Sequence, residues 1–369
     1  MPTGLFHRLL LSIPTLVGLT LLVFLLISLG PGGVSGGLDA RLGAQEGGAP
    51  GRDSALIAYY EERYGLNRPV LVQYAKWLGQ LSPLKLGEPP AGVPATGLTI
   101  VPGAIRLDWP DLGWSFGRNL PVSRVLREAL AVTLTVNGLA YTLMYALAVP
   151  AGVLCAAKRG TWIDRGLSTA FAVLWSVPGV CMAVGLLGVF ATRDMLGWFP
   201  SGGLHSPDSA SALFLPSRDD AGNFLPGWAL DSAWRLVLPV ACQAYAGAAV
   251  VSRLVRAGVV GNMGAAFVRT ARAKGVPELD VVVHHAFRAG MLPLITVFAS
   301  TFPAMLSGSI VVEKVFSLPG MGGLMLEAVG LRDRELLMGA VLIAGVVTML
   351  AVAMADALYR VVDPRTRHG

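Results

Sequence analysis

Charged residues are scarce in this sequence, and their scarcity excludes an ordinary soluble domain. Only 14% of the 369 residues are Asp, Glu, Lys or Arg, whereas about 25% is usual in soluble domains. Hydrophobic residues make up 54% of the chain. The net charge of +6 arises from basic residues at the ends of long apolar runs, which is a topology signal rather than a nucleic-acid site. The sequence therefore predicts an integral membrane protein with no nucleic-acid partner.

Cysteine and histidine are also sparse, with three and five residues. Cys155, Cys181 and Cys242 all fall within apolar runs, which predicts buried structural thiols and no disulfide framework. The five histidines show no metal-ligand spacing, so no metal site is predicted. No nucleophile and base occur in a catalytic pattern, so no catalytic residues and no enzyme activity are expected.

The sequence also lacks the residues that would let the protein drive transport itself by nucleotide hydrolysis or ion coupling. None of its lysines is followed by Ser or Thr, so the phosphate-binding motif G-x-x-x-x-G-K-[ST] is absent. No apolar run has an ionisable residue at its middle, which disfavours ion-coupled transport and charged selectivity rings. A channel-like subunit driven by a partner fits these absences best. A stand-alone secondary transporter or channel is the competing class.

Six apolar runs are long enough to cross a bilayer as helices. They are Leu9–Leu29, Leu130–Ala157, Leu167–Thr192, Leu236–Ser252, Ala289–Val312 and Leu336–Ala355. Five contain a proline, and each proline is predicted to bend its helix without breaking it. Three segments follow from this pattern: an N-terminal span (1–30), a long polar segment (31–128), which we call the extracytoplasmic segment, and a core that holds the other five spans (129–369).

The extracytoplasmic segment is a long polar insertion between the first two spans. Glycine and proline concentrate in 30–51 and 87–103, which predicts loops. Between these loops, apolar residues at helical spacing predict a helix over Asp53–Leu81.

Charge in the shorter loops predicts the orientation. The stretch 253–290 has six basic and two acidic residues, and 158–165 is also basic. The alternate loops 193–235 and 313–335 carry more acidic than basic residues. Because basic loops stay on the cytoplasmic side, both termini and the 253–290 loop are predicted to lie in the cytoplasm.

The 253–290 loop contains a pattern of two short helices separated by a break. Val260, Met263, Phe267 and Ala271 lie at helical spacing, which predicts one apolar stripe. Gly275 is predicted to end this helix.

A second short helix is predicted to begin directly after this break. Pro277 suits its first position, with Glu278 in its first turn. On these grounds alone, an amphipathic pair lying on lipid headgroups fits as well as a docking site for another protein.

Residues 269–275, RTARAKG, resemble the coupling loop of binding-protein-dependent ABC importer permeases, in the form typical of dipeptide and oligopeptide permeases. In that family the short helix of the loop docks into a groove on the ATPase. The resemblance implies an ATPase-coupling site at Arg269, Thr270, Ala271, Arg272, Lys274, Gly275, Pro277 and Glu278. The general pattern E-A-A-x3-G survives only in Ala271 and Gly275, because Arg269 stands where Glu would be.

Further motifs are similar to the B-type subunit of peptide permeases. They are Arg8-Leu9-Leu10, Tyr64-Gly65-Leu66, Asp111-Leu112-Gly113, the stretch 316–322 (FSLPGMG) and Asp363-Pro364-Arg365. The long first loop resembles that of Yej-type peptide permeases. This similarity implies an all-α integral membrane protein with the type I ABC importer (MetI-like) fold, located in the bacterial inner membrane.

The same resemblance implies the partners of the chain. They are a paralogous permease forming a heterodimer, two cytoplasmic ABC ATPases and an extracytoplasmic solute-binding protein. ATP and Mg would bind the ATPases, and this chain would hold no cofactor. Di- or oligopeptides are the implied cargo, although similar permeases carry nickel, glutathione or other small solutes.

Two further groups of residues are candidates for function. Four polar or aromatic side chains in the spans are predicted to face the translocation pathway or to join helices: Asn137, Tyr141, Gln243 and Tyr245. Four residues after the fifth span are candidates for an outer gate or a contact with the binding protein: Glu313, Phe316, Pro319 and Gly320. For Glu313, an interfacial ion pair with Lys314 is the simpler expectation.

The predicted orientation is testable with reporter fusions. Alkaline phosphatase fused within residues 205–225 is expected to be active, and green fluorescent protein at the same point dark, because this loop is predicted to lie outside the cytoplasm. A fluorescent, phosphatase-inactive pair would reverse the orientation.

Overall fold

The structure is a computed structural model that describes most of the chain. The described residues are 3–29, 65, 68–82, 84–86, 98–101, 105–107, 110–115, 117–206, 214–218, 224–225, 227–331 and 333–362.

Helices dominate the described residues. In chain order they are α1 (Thr3–Leu29), α2 (Val70–Leu81), α3 (Val122–Ala157), α4 (Trp162–Ser176), α5 (Gly179–Leu186), α6 (Gly227–Asn262), α7 (Ala266–Ala273), α8 (Glu278–Asp280), α9 (Leu292–Ser307), α10 (Ile310–Val315), α11 (Met321–Gly330) and α12 (Arg334–Val362). Two segments are π-helical: Leu187–Ala191, which extends α5, and Val281–Phe287, which extends α8.

The described strands are short. They are β1 (Leu84–Leu86), β2 (Leu98–Val101), β3 (Ile105–Leu107), β4 (Trp114–Ser115), β5 (Leu120–Pro121), β6 (Ser217–Arg218) and β7 (Phe224–Leu225). An antiparallel sheet has the order β1-β3-β2, with Leu84 opposite Leu107. The fold is therefore mostly helical and not purely α. The loop predicted over 87–103 is wrong at its end, because 98–101 is the strand β2.

The chain divides into two compact units. The first comprises residues 1–127 and 325–346, and the second 128–324 and 347–369. In the first unit, α2 packs its buried face against α1. The Tyr74 hydroxyl lies 3.0 Å from the carbonyl oxygen of Val17 and 2.9 Å from the Thr20 hydroxyl, and the Tyr74 ring meets Phe24 edge-on at 5.3 Å.

The helix predicted over Asp53–Leu81 is not continuous among the described residues. α2 begins at Val70, after Pro69. Before it, Gly65 has a φ of 63°, and the Arg68 amide donates to its carbonyl at 2.8 Å, which makes a turn. The N-terminal part of the prediction, residues 53–64, lies outside the described residues.

The second unit is built around α3 and α6, each 36 residues long. The two helices approach closely where one of them has glycine. A Cβ added to Gly152 would lie 2.6 Å from the carbonyl oxygen of Ser252, and one added to Gly247 would overlap the sulfur of Met144. Small residues allow membrane helices to pack at this distance. Pro150 and Pro239 lie inside these unbroken helices, as predicted.

The span predicted over Leu167–Thr192 is not one helix. α4 and the α5 segment meet at a bend of 97°. Val177 is extended, with φ −80° and ψ 122°, because the following Pro178 disfavours helical backbone before it. The Tyr245 hydroxyl donates to the freed Val177 carbonyl at 2.8 Å. The bend predicted at Pro178 is therefore a break.

The span predicted over Ala289–Val312 is also interrupted. α9 ends at Ser307, and Gly308 follows with a φ of 67°, which favours glycine. Ser309 then caps α10, its hydroxyl accepting from the Val312 amide at 3.4 Å.

Among the described residues, three helices are long and apolar enough to cross a membrane: Val122–Ala157, Gly227–Asn262 and Arg334–Met354. The bent pair α4–α5 makes a fourth if it counts as one span. Shorter apolar helices include Ile13–Leu29 and Pro293–Met305. The count of six spans stays a prediction.

The thiols are free, as expected, but only two are buried. Cys155 and Cys242 lie in the core, whereas Cys181 is exposed near the start of α5. The prediction that all three are buried is wrong for Cys181.

Candidate functional site

The coupling segment, which we define as residues 266–290, contains the predicted helix–break–helix. α7 ends at Ala273, and Gly275 has a φ of 76°. The amide of Val276 donates to the Ala271 carbonyl at 3.2 Å, which satisfies the helix end. The prediction of a break at Gly275 is confirmed. Pro277 precedes α8 as its N-cap instead of occupying its first turn.

The coupling segment has one buried and one exposed face. Its buried side chains belong to the core of the second unit: Val268, Ala271, Val281, Val282 and Ala286. Phe267 and Leu279, in contrast, are 45% and 68% exposed. The exposed face therefore presents two large apolar side chains together with charged ones.

The predicted apolar stripe through Val260, Met263, Phe267 and Ala271 is wrong. Val260 belongs to α6, and the chain turns between Met263 and Ala265 before α7 begins. The two helices therefore do not share an axis, and Val268 rather than Phe267 is buried beside Ala271.

A side-chain pair bridges the break. Arg272 in α7 donates from Nε to Oε2 of Glu278 at 2.9 Å. This guanidinium holds the pKa of the Glu278 carboxyl below its usual range. Both side chains are exposed, so the pair orients the break more than it stabilises the fold. Arg269 and Lys274 are exposed on the same segment.

The Thr270 hydroxyl, in contrast, is used within its helix. It donates to the Ala266 carbonyl at 3.0 Å.

The second half of the coupling segment is π-helical over Val281–Phe287. A π-helix bonds residues five apart, so Val281 and Ala286 lie on the same side. Both are fully buried. The sequence pattern does not distinguish this winding from an α-helix.

The coupling segment touches α6 through bare backbone. A Cβ added to Gly258 would lie 2.7 Å from the carbonyl oxygen of Gly290, and one added to Gly290 would lie 2.6 Å from the carbonyl carbon of Gly258. Neither position has room for a side chain. This contact is not predicted from the sequence, since nothing in the local pattern marks Gly258 or Gly290 as a contact point.

A second cluster surrounds Glu313. This side chain is 4% exposed, and its Oε1 accepts from the Thr133 hydroxyl of α3 at 3.0 Å. Its Oε2 accepts from the Gly323 amide at 2.7 Å. The Thr133 hydroxyl oxygen accepts in turn from the Met321 amide at 2.7 Å. Lys314 is exposed, so the predicted interfacial ion pair of Glu313 with Lys314 is wrong.

The turn that follows Glu313 is tightly wound. Ser317 has a φ of 52°, and the Gly203 amide donates to the carbonyl of the fully buried Phe316 at 2.9 Å. Gly320 is buried and has no room for a Cβ beside the Glu313 carboxylate. Of the four predicted gate or contact residues, only Pro319 is exposed.

The four predicted pathway residues bond to other groups of the second unit. Asn137 is buried and donates to the Met305 carbonyl of α9 at 2.8 Å. Tyr141 and Gln243 interact with each other through their side chains. The Tyr245 hydroxyl donates to the Val177 carbonyl at the break between α4 and α5. Their role as pathway lining stays a prediction.

The Glu313 cluster and the contact between Gly152 and Ser252 lie at different levels of the α3–α6 pair. Thr133 contacts the Glu313 cluster, and Gly152, which is 19 residues further along α3, packs on α6 beside Ser252. At 1.5 Å per residue these levels are about 28 Å apart, close to the thickness of a bilayer core.

The sequence is similar to known transport proteins along almost its whole length. Residues 148–368 match the family described as "Binding-protein-dependent transport system inner membrane component". A protein of Brucella suis biovar 1 whose name places it among peptide permeases is 32% identical over 362 residues, covering 98% of each chain. The oligopeptide transport system permease protein AppB of Bacillus subtilis is 30% identical over 364 residues, again covering 98% of each chain.

A solved structure is similar at a lower level. A chain of the methionine ABC transporter MetNI, in inward-facing conformations, is 17% identical with a TM-score of 0.45. The similarity covers 66% of the present chain and 96% of the MetNI chain.

The contact between Gly258 and Gly290 is testable by substitution. Gly258→Ala is expected to destabilise the purified protein by roughly 1–3 kcal/mol, because the two backbones must separate. Gly261→Ala on the same helix is the control, since nothing lies within 4 Å of its added Cβ. It is expected to be neutral or slightly stabilising. Thermal unfolding in detergent measures both, and equal melting temperatures would contradict the contact.

The Glu313 cluster is testable in the same assay. Glu313→Gln is expected to destabilise the protein by about 1–3 kcal/mol, because Thr133 and Gly323 donate to different oxygens and the amide replaces one of these oxygens by an NH₂ group. Glu327→Gln removes the same charge from an exposed pair with Arg118 and is expected to cost under about 1 kcal/mol. A Glu313→Gln variant as stable as the Glu327→Gln variant would rule out a structural role for the carboxylate.

Proposed function

The chain belongs to the family of binding-protein-dependent transport system inner membrane components, and we propose that it forms, with a paralogous permease, the pathway through which an ABC importer takes up peptides. It is a permease subunit of the inner membrane and is not itself catalytic. Relatives covering nearly its whole length are named as peptide and oligopeptide permeases, which supports di- or oligopeptides as its cargo.

The main support for this proposal is that the coupling segment has one buried and one exposed face. Its buried face belongs to the core of the second unit, and its exposed face presents Phe267, Arg269 and Leu279 around the Gly275 break. We place the docking groove of a separate ATPase on this exposed face. Two such ATPases hydrolyse ATP, with Mg, and this chain contributes no residue to that reaction.

The route from ATPase to pathway follows the packing. A push on the exposed face moves the coupling segment, and Gly290 presses directly on Gly258 of α6. α6 is continuous for 36 residues, so it carries the displacement to Tyr245 and Gln243. Re-tilting of α6 against α3 then alternates access, and a solute-binding protein delivers peptide at the opposite face.

The proposed topology has six spans in a type I importer fold, with an extracytoplasmic insertion over 31–128 and both termini in the cytoplasm. Positive residues in 253–290 support this orientation, which places the coupling segment beside the ATPases.

Substitution of Gly275 tests ATPase docking. A Cβ at Gly275 meets nothing within 4 Å, so only its φ of 76° restricts the side chain. Gly275→Val strains this conformation by roughly 1–2 kcal/mol, whereas Gly275→Asn tolerates it. The Val variant is expected to lose ATPase co-purification and ATP-dependent peptide uptake in proteoliposomes, and the Asn variant to keep both.

Control measurements separate docking from folding and from substrate. Both variants should insert into the membrane and elute as the wild type does. Uptake by this chain in liposomes without an ATPase would refute the importer proposal. Normal assembly of the Val variant would refute docking around Gly275. Coupled uptake of another solute with no peptide uptake would refute only the cargo.

A further inference from the structure

A cavity of about 440 Å³ lies between α4 and α6, away from the exposed face of the coupling segment. From α6 it is lined by Ser252 and Arg256, which lie on one helix face at positions i and i+4, and by Arg253 beside them. From α4 it is lined by Asp164 and Arg165. The cavity is therefore lined by three arginines and one aspartate.

The carboxylate is already fully engaged. Asp164 is 3% exposed and accepts from Nε and Nη2 of Arg256 at 2.7 and 2.8 Å. It also accepts from the Gly160 amide at 3.0 Å. One arginine thus balances the one acid. Arg256 is a third exposed and keeps three further N–H donors, because a guanidinium has five.

The other two arginines carry uncompensated charge. Arg165 and Arg253 are exposed at the cavity, and within the described part of the chain neither forms an ion pair or a side-chain hydrogen bond. The cavity therefore has a net charge of about +2, which favours an anion.

A neutral donor completes the lining. Ser252 lines the cavity from α6, and its side chain is 4% exposed. Its hydroxyl can donate a hydrogen bond to a ligand oxygen. Guanidinium groups together with a hydroxyl are the donors that suit a phosphate group.

The surroundings indicate where the phosphate comes from. Trp162, two residues before Asp164, is 81% exposed. Tryptophan is enriched on membrane proteins at the level of the lipid headgroups. The arginines beside Trp162 therefore lie at headgroup depth, where basic pockets between helices bind anionic lipids.

We propose that the cavity between α4 and α6 binds the phosphate headgroup of an anionic phospholipid, held by Arg165, Arg253 and the free N–H groups of Arg256. A bound headgroup bridges α4 to α6 two residues before Gly258, where α6 meets the coupling segment. The lipid thereby braces the helix that receives the push on the coupling segment. The binding site itself does not depend on the identity of the transported solute.

Lipid titration of the delipidated full-length chain tests the proposal. Native mass spectrometry should detect cardiolipin and phosphatidylglycerol at lower concentrations than phosphatidylcholine. The variant with Arg165→Gln and Arg253→Gln is expected to lose at least about tenfold in affinity for the anionic lipids, since both uncompensated charges are removed. The variant with Arg165→Lys and Arg253→Lys keeps the charge and should bind with intermediate affinity.

Arg159→Gln is the matched control, because it removes a neighbouring positive charge that does not line the cavity. It should bind lipid as the wild type does. All variants retain the Asp164–Arg256 pair, and their melting temperatures check folding. Equal lipid affinity in the Gln double variant, or an equal loss in Arg159→Gln, overturns the site. Displacement of cardiolipin by millimolar inorganic phosphate assigns the cavity to a soluble anion and overturns the lipid.

Discussion

The direct backbone contact between Gly258 and Gly290 is the constraint on which the second unit depends. With no side chain between them, α6 and the end of the coupling segment cannot come closer together, so a push of one toward the other is transmitted directly. The other features of the unit are arranged along α6. Tyr245 holds the break before Pro178, and Arg256 binds Asp164 of α4. A displacement of α6 by the coupling segment would therefore alter the contacts that Tyr245 and Arg256 make.

Two acid-containing clusters illustrate how differently a carboxylate contributes. Glu278 forms an exposed pair with Arg272 that orients the break at Gly275 and adds little stability. Glu313 is buried and has no cationic partner among the residues that the structure describes, and it accepts from the Thr133 hydroxyl and the Gly323 amide. Burying a carboxyl group costs free energy unless protein hydrogen bonds replace those it made to water. Because α3 supplies one of these donors, Thr133, the Glu313 side chain links the turn after α10 to α3.

The elements predicted correctly from sequence are those governed by neighbouring residues. The apolar runs that became α3, α6 and α12 are long and charge-free, so any fold must bury them or place them in lipid. The break at Gly275 was predictable because glycine accepts a positive φ and Val276 precedes a proline. The resemblance of residues 269–275 to a permease loop pointed to the family that the matches support.

Local sequence predicts where the chain is apolar and where a helix is disturbed, since these properties depend on residues a few positions apart. Whether a proline bends its helix or breaks it follows from the packing of the helices. Pro150 and Pro239 are absorbed into continuous helices, whereas Pro178 breaks its helix and Tyr245 occupies the freed carbonyl. The burial of Glu313, the contact at Gly258 and the π-helix after Asp280 depend on segments distant in sequence. Local patterns carry no information about such partners, because packing selects them only when the helices meet.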